Sequence, residues 1–469
     1  MLVAGGGVAG VAAAVASARG GAKTALVERF GVLGGLATMG LVSPVGSLHT
    51  HREQERYGGI LDEIFDELLI LSKKYAGGNR DRGASPYIAL DDCVSPEILK
   101  YVLLEKATRS GVKLMLQTTV ISASSEDGMV KSIILSDKSG IKSVTAKVFI
   151  DASGDADLAF HAGAEYVYGS EPGVMDALFE TGLDTVHDEA EETRKYEGYS
   201  SSGEVQPVSS MFFMGGVDTE KSAKFVNQTL KYEDLGIDRE EYKKLFYYGW
   251  DGFEENGDLI PLPQGRVLWF YSSREGEVIV NMSRATGING TKAEDVTKGE
   301  IIVQKQIIAI ADFLIRYVPG FEKAYLINSS NILGVRESRR IIGMKTLKGI
   351  DAINCERPPD SVAYGSYSID IHDPTGRRKA VGGCLKGPCY GIPIGCLISK
   401  NLPNLLAAGR CISADHVAHS STRIEGTCIL TGQAAGTLAA LAAAKHKTPD
   451  KIPAEDVRKR LEADGVVIY

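Results

Sequence analysis

The chain has 469 residues, 44% hydrophobic and 24% charged, with 53 glycines and a formal charge of −8. That length exceeds what one hydrophobic core organises and predicts more than one domain, and the composition excludes disordered and fibrous classes. The acidic balance offers no basic footprint for nucleic acid or an anionic membrane, so a small-molecule substrate is expected and neither of those partners.

Seven cysteines, an odd number scattered along a long chain, read as reduced thiols in a cytoplasmic protein. Cys384, Cys389 and Cys396 make no CxxC pair and have no histidine at finger spacing, so no metal site is expected. No stretch is read as reaching the roughly 18 apolar residues of a membrane span.

The first element is a short buried strand ending at Leu2-Val3-Ala4. It runs into Gly5-Gly6-Gly7-Val8-Ala9-Gly10 and then a small-residue helix over Val11 to Ala18. This is GxGxxG between strand and helix. Gly5 makes the tight turn, Gly7 lets the backbone approach a pyrophosphate, and Gly10 lets helix and strand pack closely. The helix start, with Val8 and Ala9, supplies free N–H groups and the positive end of a dipole. A second strand, Lys23 to Val27, ends in Glu28, where a carboxylate takes ribose hydroxyls. After Glu28-Arg29 comes another glycine-rich turn containing Gly34, Gly35, Ala37 and Thr38, which an NAD dehydrogenase does not need and an FAD-binding chain does.

On these residues the sequence resembles the two-dinucleotide-binding flavoproteins. The run Gly34-Gly35-Leu36-Ala37-Thr38 is similar to FAD-dependent oxidoreductases related to the fumarate reductase and succinate dehydrogenase flavoproteins. The resemblance implies an α/β fold: an FAD-binding Rossmann-like domain of glutathione-reductase type with an inserted α+β substrate domain. In relatives that bind flavin covalently a histidine lies just ahead of the glycine pair. Arg29 to Leu33 offers none, so noncovalent FAD is expected.

Further along, amphipathic helices are expected over Gly58 to Tyr75 and Pro96 to Ser110, the latter with Ser95 as N-cap and Pro96 at its first position. Strands follow at Val112 to Leu116 and Thr118 to Val120, and the resemblance gives the backbone of Val120 to the adenine. Val144 to Ile150 reads as a buried strand. The turn after it, Asp151-Ala152-Ser153-Gly154-Asp155, resembles the family's second flavin signature and implies cofactor contacts at Ala152, Gly154 and Asp155. The glycine spacing then changes. Strands at Val208 to Gly216, Val267 to Tyr271 and Gly276 to Met282 are expected, with charged helices near Thr185 to Tyr196 and Lys221 to Phe246. A helix over Gly299 to Tyr317 is expected to turn Ile301, Ile302, Ile307, Ile308, Ile310 and Leu314 inward. There is no second GxGxxG, hence no separate NAD(P)H domain.

The C-terminal part extends the resemblance to the "FAD-dependent oxidoreductase" family over nearly the whole chain. Asn404 to Ser413 is a buried strand with a glycine turn. Gly409-Arg410-Cys411 stands where many relatives have Gly-Asp on the ribitol, and Gly426-Thr427 opens a helix suited to negative charge on reduced flavin. The expected division is 1–165 and 391–469 for the FAD domain and 166–390 for the insert.

For chemistry, Arg339, His372 and Arg423 are expected to converge beside the flavin, the arginines holding an anionic substrate and the imidazole moving a proton. Arg336, His416 and His419 are further candidates. The activity expected is hydride transfer between FAD and a small organic substrate. A flavoprotein subunit of a larger electron-transfer complex and a tRNA-modifying flavoprotein stay as alternatives, and a homo-oligomer or an electron-acceptor partner stays open.

Overall fold

The computed structural model describes residues 1–50, 55–76, 92–175, 178, 203–226, 228, 254–255, 258–259, 262–374, 380–383 and 385–469. Strands β1 (Leu2–Ala4), β2 (Ala25–Val27), β3 (Lys113–Met115), β7 (Phe149–Asp151) and β12 (Leu405–Ala407) form one five-stranded sheet. Its order is β12-β7-β1-β2-β3, with every neighbouring pair parallel. Most of these strands read as uninterrupted apolar triplets because a parallel sheet is covered on both faces. The fold is Rossmann-like α/β.

Helix α1 (Val8–Arg19) packs on the long C-terminal helix α7 (Glu425–Ala444). The two backbones nearly touch: a Cβ at Gly432 would stand 2.1 Å from the carbonyl oxygen of Ala9, and one at Gly436 2.2 Å from that of Ala13. This is why α7 is built from Gly, Ala and Thr. At 20 residues α7 is long and apolar enough to cross a membrane, contrary to the sequence reading, but 83% of that stretch is buried inside the protein. Its apolarity therefore belongs to the core.

Helices α2 (Gly59–Tyr75) and α3 (Pro96–Arg109) lie where expected. The segment read as one buried strand, Val144 to Ile150, is two elements. Strands β4 (Thr119–Glu126), β5 (Met129–Asp137) and β6 (Gly140–Thr145) make an antiparallel meander, with Val144 at its exposed edge, and the chain re-enters the core only at β7. Helix α4 (Asp157–Ala162) follows β7 directly.

A second sheet is antiparallel, in the order β9 (Trp269–Tyr271), β10 (Val278–Val280), β8 (Phe212–Gly215) and β11 (Tyr325–Ser329). Helix α5 (Ala293–Tyr317) covers it with Ile307, Ile310 and Leu314, while Ile301 and Ile308, expected inside, are exposed. The helix starts six residues before the expected Gly299, which leaves the buried stripe on Val303, Ile307, Ile310 and Leu314 at spacings of three and four. The expected charged helix at Thr185 to Tyr196, and Lys221 to Phe246 apart from 221–226 and 228, lie outside the described residues.

Two separate apolar clusters follow the two sheets. That of the antiparallel sheet runs from Met211 to Ala324, with Leu41 and Cys93 added. Ile341, Leu347, Tyr364, Tyr390 and Ile392 pack instead with the parallel sheet. The second core is therefore narrower than the expected 166–390 insert, because the hairpin of Ser361–Gly365 with Tyr390–Pro393 packs on α7.

Candidate functional site

The loops at the C-terminal ends of the parallel strands enclose a cavity of about 460 Å³. Gly5, with φ +100°, turns the chain out of β1 in a conformation only glycine adopts freely, and a Cβ there would overlap the Ala152 carbonyl. Gly10 lies against the Gly5 carbonyl oxygen, 1.8 Å from where its Cβ would stand, and so has the helix–strand packing role given to it. Gly7 differs from both. Its φ of −62° suits any residue, and no heavy atom lies within 4 Å of its Cβ position. Its backbone therefore borders the cavity beside the first-turn N–H groups of α1, which have no intrahelical acceptor.

The second glycine turn is stitched to the first, the Gly34 N–H donating to the Gly6 carbonyl at 2.8 Å. Glu28 closes the cavity at the end of β2. Its carboxylate accepts from Gly6 N–H at 2.6 Å and Phe30 N–H at 2.8 Å. Burial pushes this carboxyl up, against those hydrogen bonds and Arg29.

Of the residues expected at a cofactor, Gly5, Gly7, Val8, Ala9, Glu28, Arg29, Gly34, Gly35, Ala37, Ala152, Gly154, Asp155, Gly409 and Arg410 line this cavity. Gly10, Thr38, Val120, Gly426 and Thr427 do not. Thr38 donates to the Leu33 carbonyl and holds the turn. Val120 packs partly against the core in β4, because residues 117 and 118 are tied to Phe30 and Glu28 and lead the strand away. Gly426 fits against the Ser47 carbonyl, and the Thr427 hydroxyl meets that of Ser47 at 3.0 Å, so both anchor the start of α7.

A smaller cavity of about 160 Å³ lies between the two sheets. Met211, Phe270 and Asn281 of the antiparallel side line it with Gly46, Tyr367, Asp370, His372, Arg336 and Arg423. The two cavities share a wall made by Leu36, Val335, Arg410, Arg423 and Glu425.

The expected trio separates. His372 and Arg423 reach the smaller cavity and Arg339 does not. Arg339 is buried, donates to the Asp155 carbonyl at 2.8 Å, pairs with Asp157 at 2.5 Å and lies over the Phe160 ring at 4.4 Å. It ties the strand Arg339–Ile341 to α4 and the Asp155 turn. Arg336, three residues earlier, takes its place in the cavity, donating at 2.8 Å to the Pro207 carbonyl and to Ser209 Oγ. Arg339→Met should leave flavin content unchanged and lower stability by about 2 to 3 kcal/mol, below the full cost of breaking a buried pair because Asp157 is partly exposed. Denaturant unfolding checks this; an unchanged midpoint would contradict it.

The smaller cavity is strongly charged. Arg423 donates from Nη2 to the Asp370 carboxylate and carbonyl at 3.1 Å and from Nε to the Ser420 carbonyl at 3.2 Å. His372 Nε2 stands 3.3 Å from the same carboxylate. Burial opposes ionisation of Asp370, but His372, Arg423 and Arg336 hold its carboxyl well below the usual carboxylate range. Burial, with Arg284 and Arg336 nearby, pushes the His372 imidazole down to about 3 despite Asp370, so it is neutral at neutral pH and a weak base. Burial first, then Arg284 and Arg423, pushes Arg336 down. Arg284 is lowered to about 10 by burial, with Arg266 and Arg423 adding to this and Asp370 and Asp373 opposing. Three guanidiniums, Arg336, Arg410 and Arg423, and two carboxyls, Asp370 and Glu425, line this cavity.

His416 and His419, the other histidines considered, are buried on α6 (His416–Thr422) and line neither cavity; His416 bonds Glu337 at 2.7 Å. Glu425, two residues after Arg423, forms no ion pair with it, since the Arg423 guanidinium pairs with Asp370.

A sequence model described as "FAD dependent oxidoreductase" matches residues 1–461. The chain belongs to that family. FAD is its cofactor, and the protein is a flavoenzyme. No curated protein matches. Among solved structures, a geranylgeranyl bacteriochlorophyll reductase-like protein of Thermoplasma acidophilum is 13% identical, with a TM-score of 0.43 over 99% of this chain and 83% of that one. The flavin-dependent brominase Bmp2 is 11% identical, with a TM-score of 0.43 over 98% and 82%. L-proline dehydrogenase from P. horikoshii is 13% identical, with a TM-score of 0.38 over 99% and 98%.

The larger cavity fits FAD on its own geometry. The open approach at Gly7, the first-turn amides of α1 and the Gly34-Gly35 turn suit a pyrophosphate, and Glu28 at the end of β2 suits ribose hydroxyls.

Proposed function

We propose that this flavoenzyme transfers a hydride between noncovalently held FAD and a small anionic organic substrate, bound in the cavity between the two sheets. The observation that carries this is the wall shared by the two cavities, with Arg423 and Arg410 in it and Arg336 just beyond. Bound FAD supplies a two-electron acceptor or donor; the protein must orient the substrate and answer its charge. Arg410 is paired with Asp155 at 2.8 Å and Arg423 with Asp370 at 3.1 Å, whereas Arg336 donates to a carbonyl and a hydroxyl, which makes Arg336, with Arg423 beside it, the cation for substrate. Guanidiniums of Arg336 and Arg423 bordering this cavity favour an anion, and a planar fork suits a carboxylate. His372, neutral and bonded to Asp370, positions that carboxylate rather than exchanging protons. The odd number of cysteines scattered along the sequence supports a cytoplasmic setting.

The test is anaerobic mixing of the yellow protein with a panel of small carboxylates and their neutral amides or esters, followed at the flavin absorbance. Bleaching by a carboxylate and not by its neutral analogue is expected, without any partner protein. Reduction by neutral compounds only, or only through a partner protein, would overturn the reading.

A further inference from the structure

We propose that the Glu425 carboxyl is the group that exchanges the substrate's proton while FAD exchanges its electrons; this rests on the substrate site proposed above. Glu425 opens α7 and is the sole carboxyl among the described residues lining both cavities. The Arg423 guanidinium two residues earlier turns away to Asp370 and Ser420, so no ion pair forms between them. Among the described residues the Glu425 carboxyl accepts only from its own backbone N–H. A half-buried carboxyl with so few partners adds little as structure, whereas one at the meeting point of cofactor and substrate has a use.

The groups around it are Arg423 on the preceding turn, Arg410 after β12, Cys428 one turn along α7, and Arg336, Asp370, His372 and Tyr367 across the smaller cavity. Burial dominates over Arg423 and lifts Glu425 to about 7, which suits a group that both takes and gives a proton near neutrality. His372, pushed far lower, cannot compete for this role.

In the oxidative direction a substrate O–H or N–H bond breaks and its proton forms a bond to a Glu425 carboxylate oxygen. The electron pair of the adjacent C–H bond leaves with its hydrogen as hydride and is accepted by bound FAD. Substrate is oxidised by two electrons, FAD is reduced, and Glu425 ends protonated; the reverse direction returns the proton.

The experiment compares the FAD-loaded protein with Glu425→Gln. The visible flavin spectrum, recorded without substrate across about pH 5 to 9, should shift with a midpoint near 7 in the parent and show no such step in the variant. With an anion that reduces the flavin, Glu425→Gln should slow reduction on the order of a hundredfold and lose the pH limb near neutrality, with anion affinity changed only a fewfold. A midpoint near 7 that persists in Glu425→Gln, no step in the parent, or unchanged reduction kinetics would overturn the proposal. If no anion reduces the flavin, the substrate reading fails, while the spectral step still decides Glu425.

Discussion

Gly7→Leu protein should fold, purify colourless, and bind added FAD at least about a hundredfold more weakly, a loss near 3 kcal/mol. A Cβ here meets no part of the protein, since no heavy atom lies within 4 Å of its position and φ is −62°. It enters the space where the pyrophosphate must approach backbone. Gly10→Ala is the opposite case. Its methyl would press on the Gly5 carbonyl, so the change should lower stability whether or not FAD is present. Thermal unfolding with and without FAD separates them: added FAD should stabilise the parent by mass action and leave Gly7→Leu unmoved. A stable yellow Gly7→Leu variant would show that the cofactor does not approach there.

Arg423→Met should keep its yellow colour and lose kcat/KM by about 10² to 10³-fold, the scale of removing a charged donor aimed at the reacting group. Arg423→Lys should recover only part of this, because an ammonium cannot reproduce a fork that already holds Asp370. Stopped-flow flavin reduction checks both, once an anionic substrate is in hand. Equal kinetics in Arg423→Met would reduce Arg423 to a tie between α6 and the Asp370 strand.

Much of the lining of the larger cavity was legible because glycine carries a readable physical demand. Gly5, Gly7 and Gly10 have three different jobs at fixed spacing, and Glu28 follows at the end of the next strand. Thr38, Gly426 and Thr427 sit in equally suggestive motifs, yet serve the turns that present the cavity rather than its lining. Nothing in sequence separates a residue that touches a ligand from one that holds the loop in place.

The substrate side was less legible, since it depends on which long side chains from separate segments point the same way. Arg336 and Arg339 lie three apart in one run. The antiparallel pairing of Arg339–Ile341 with Tyr166–Tyr168 commits Arg339 to Asp157, while Arg336 precedes that strand and reaches the cavity. The second core ends well before the expected bound at 390, because the segment after β11 returns to α7 through tertiary packing with no local signal. Glu425 escaped notice since a glutamate beside an arginine reads as an ion pair until the arginine is seen to turn elsewhere.

A crystal structure of the FAD-loaded protein decides where the cofactor lies. The pyrophosphate is expected at Gly7 and Gly34-Gly35, the adenosine ribose at Glu28, and the flavin ring against Leu36, Val335, Arg410, Arg423 and Glu425, with its reactive face open to the cavity of Arg336 and Asp370. A flavin ring lying elsewhere, with Arg423 and Glu425 out of reach of it and of that cavity, would contradict this placement.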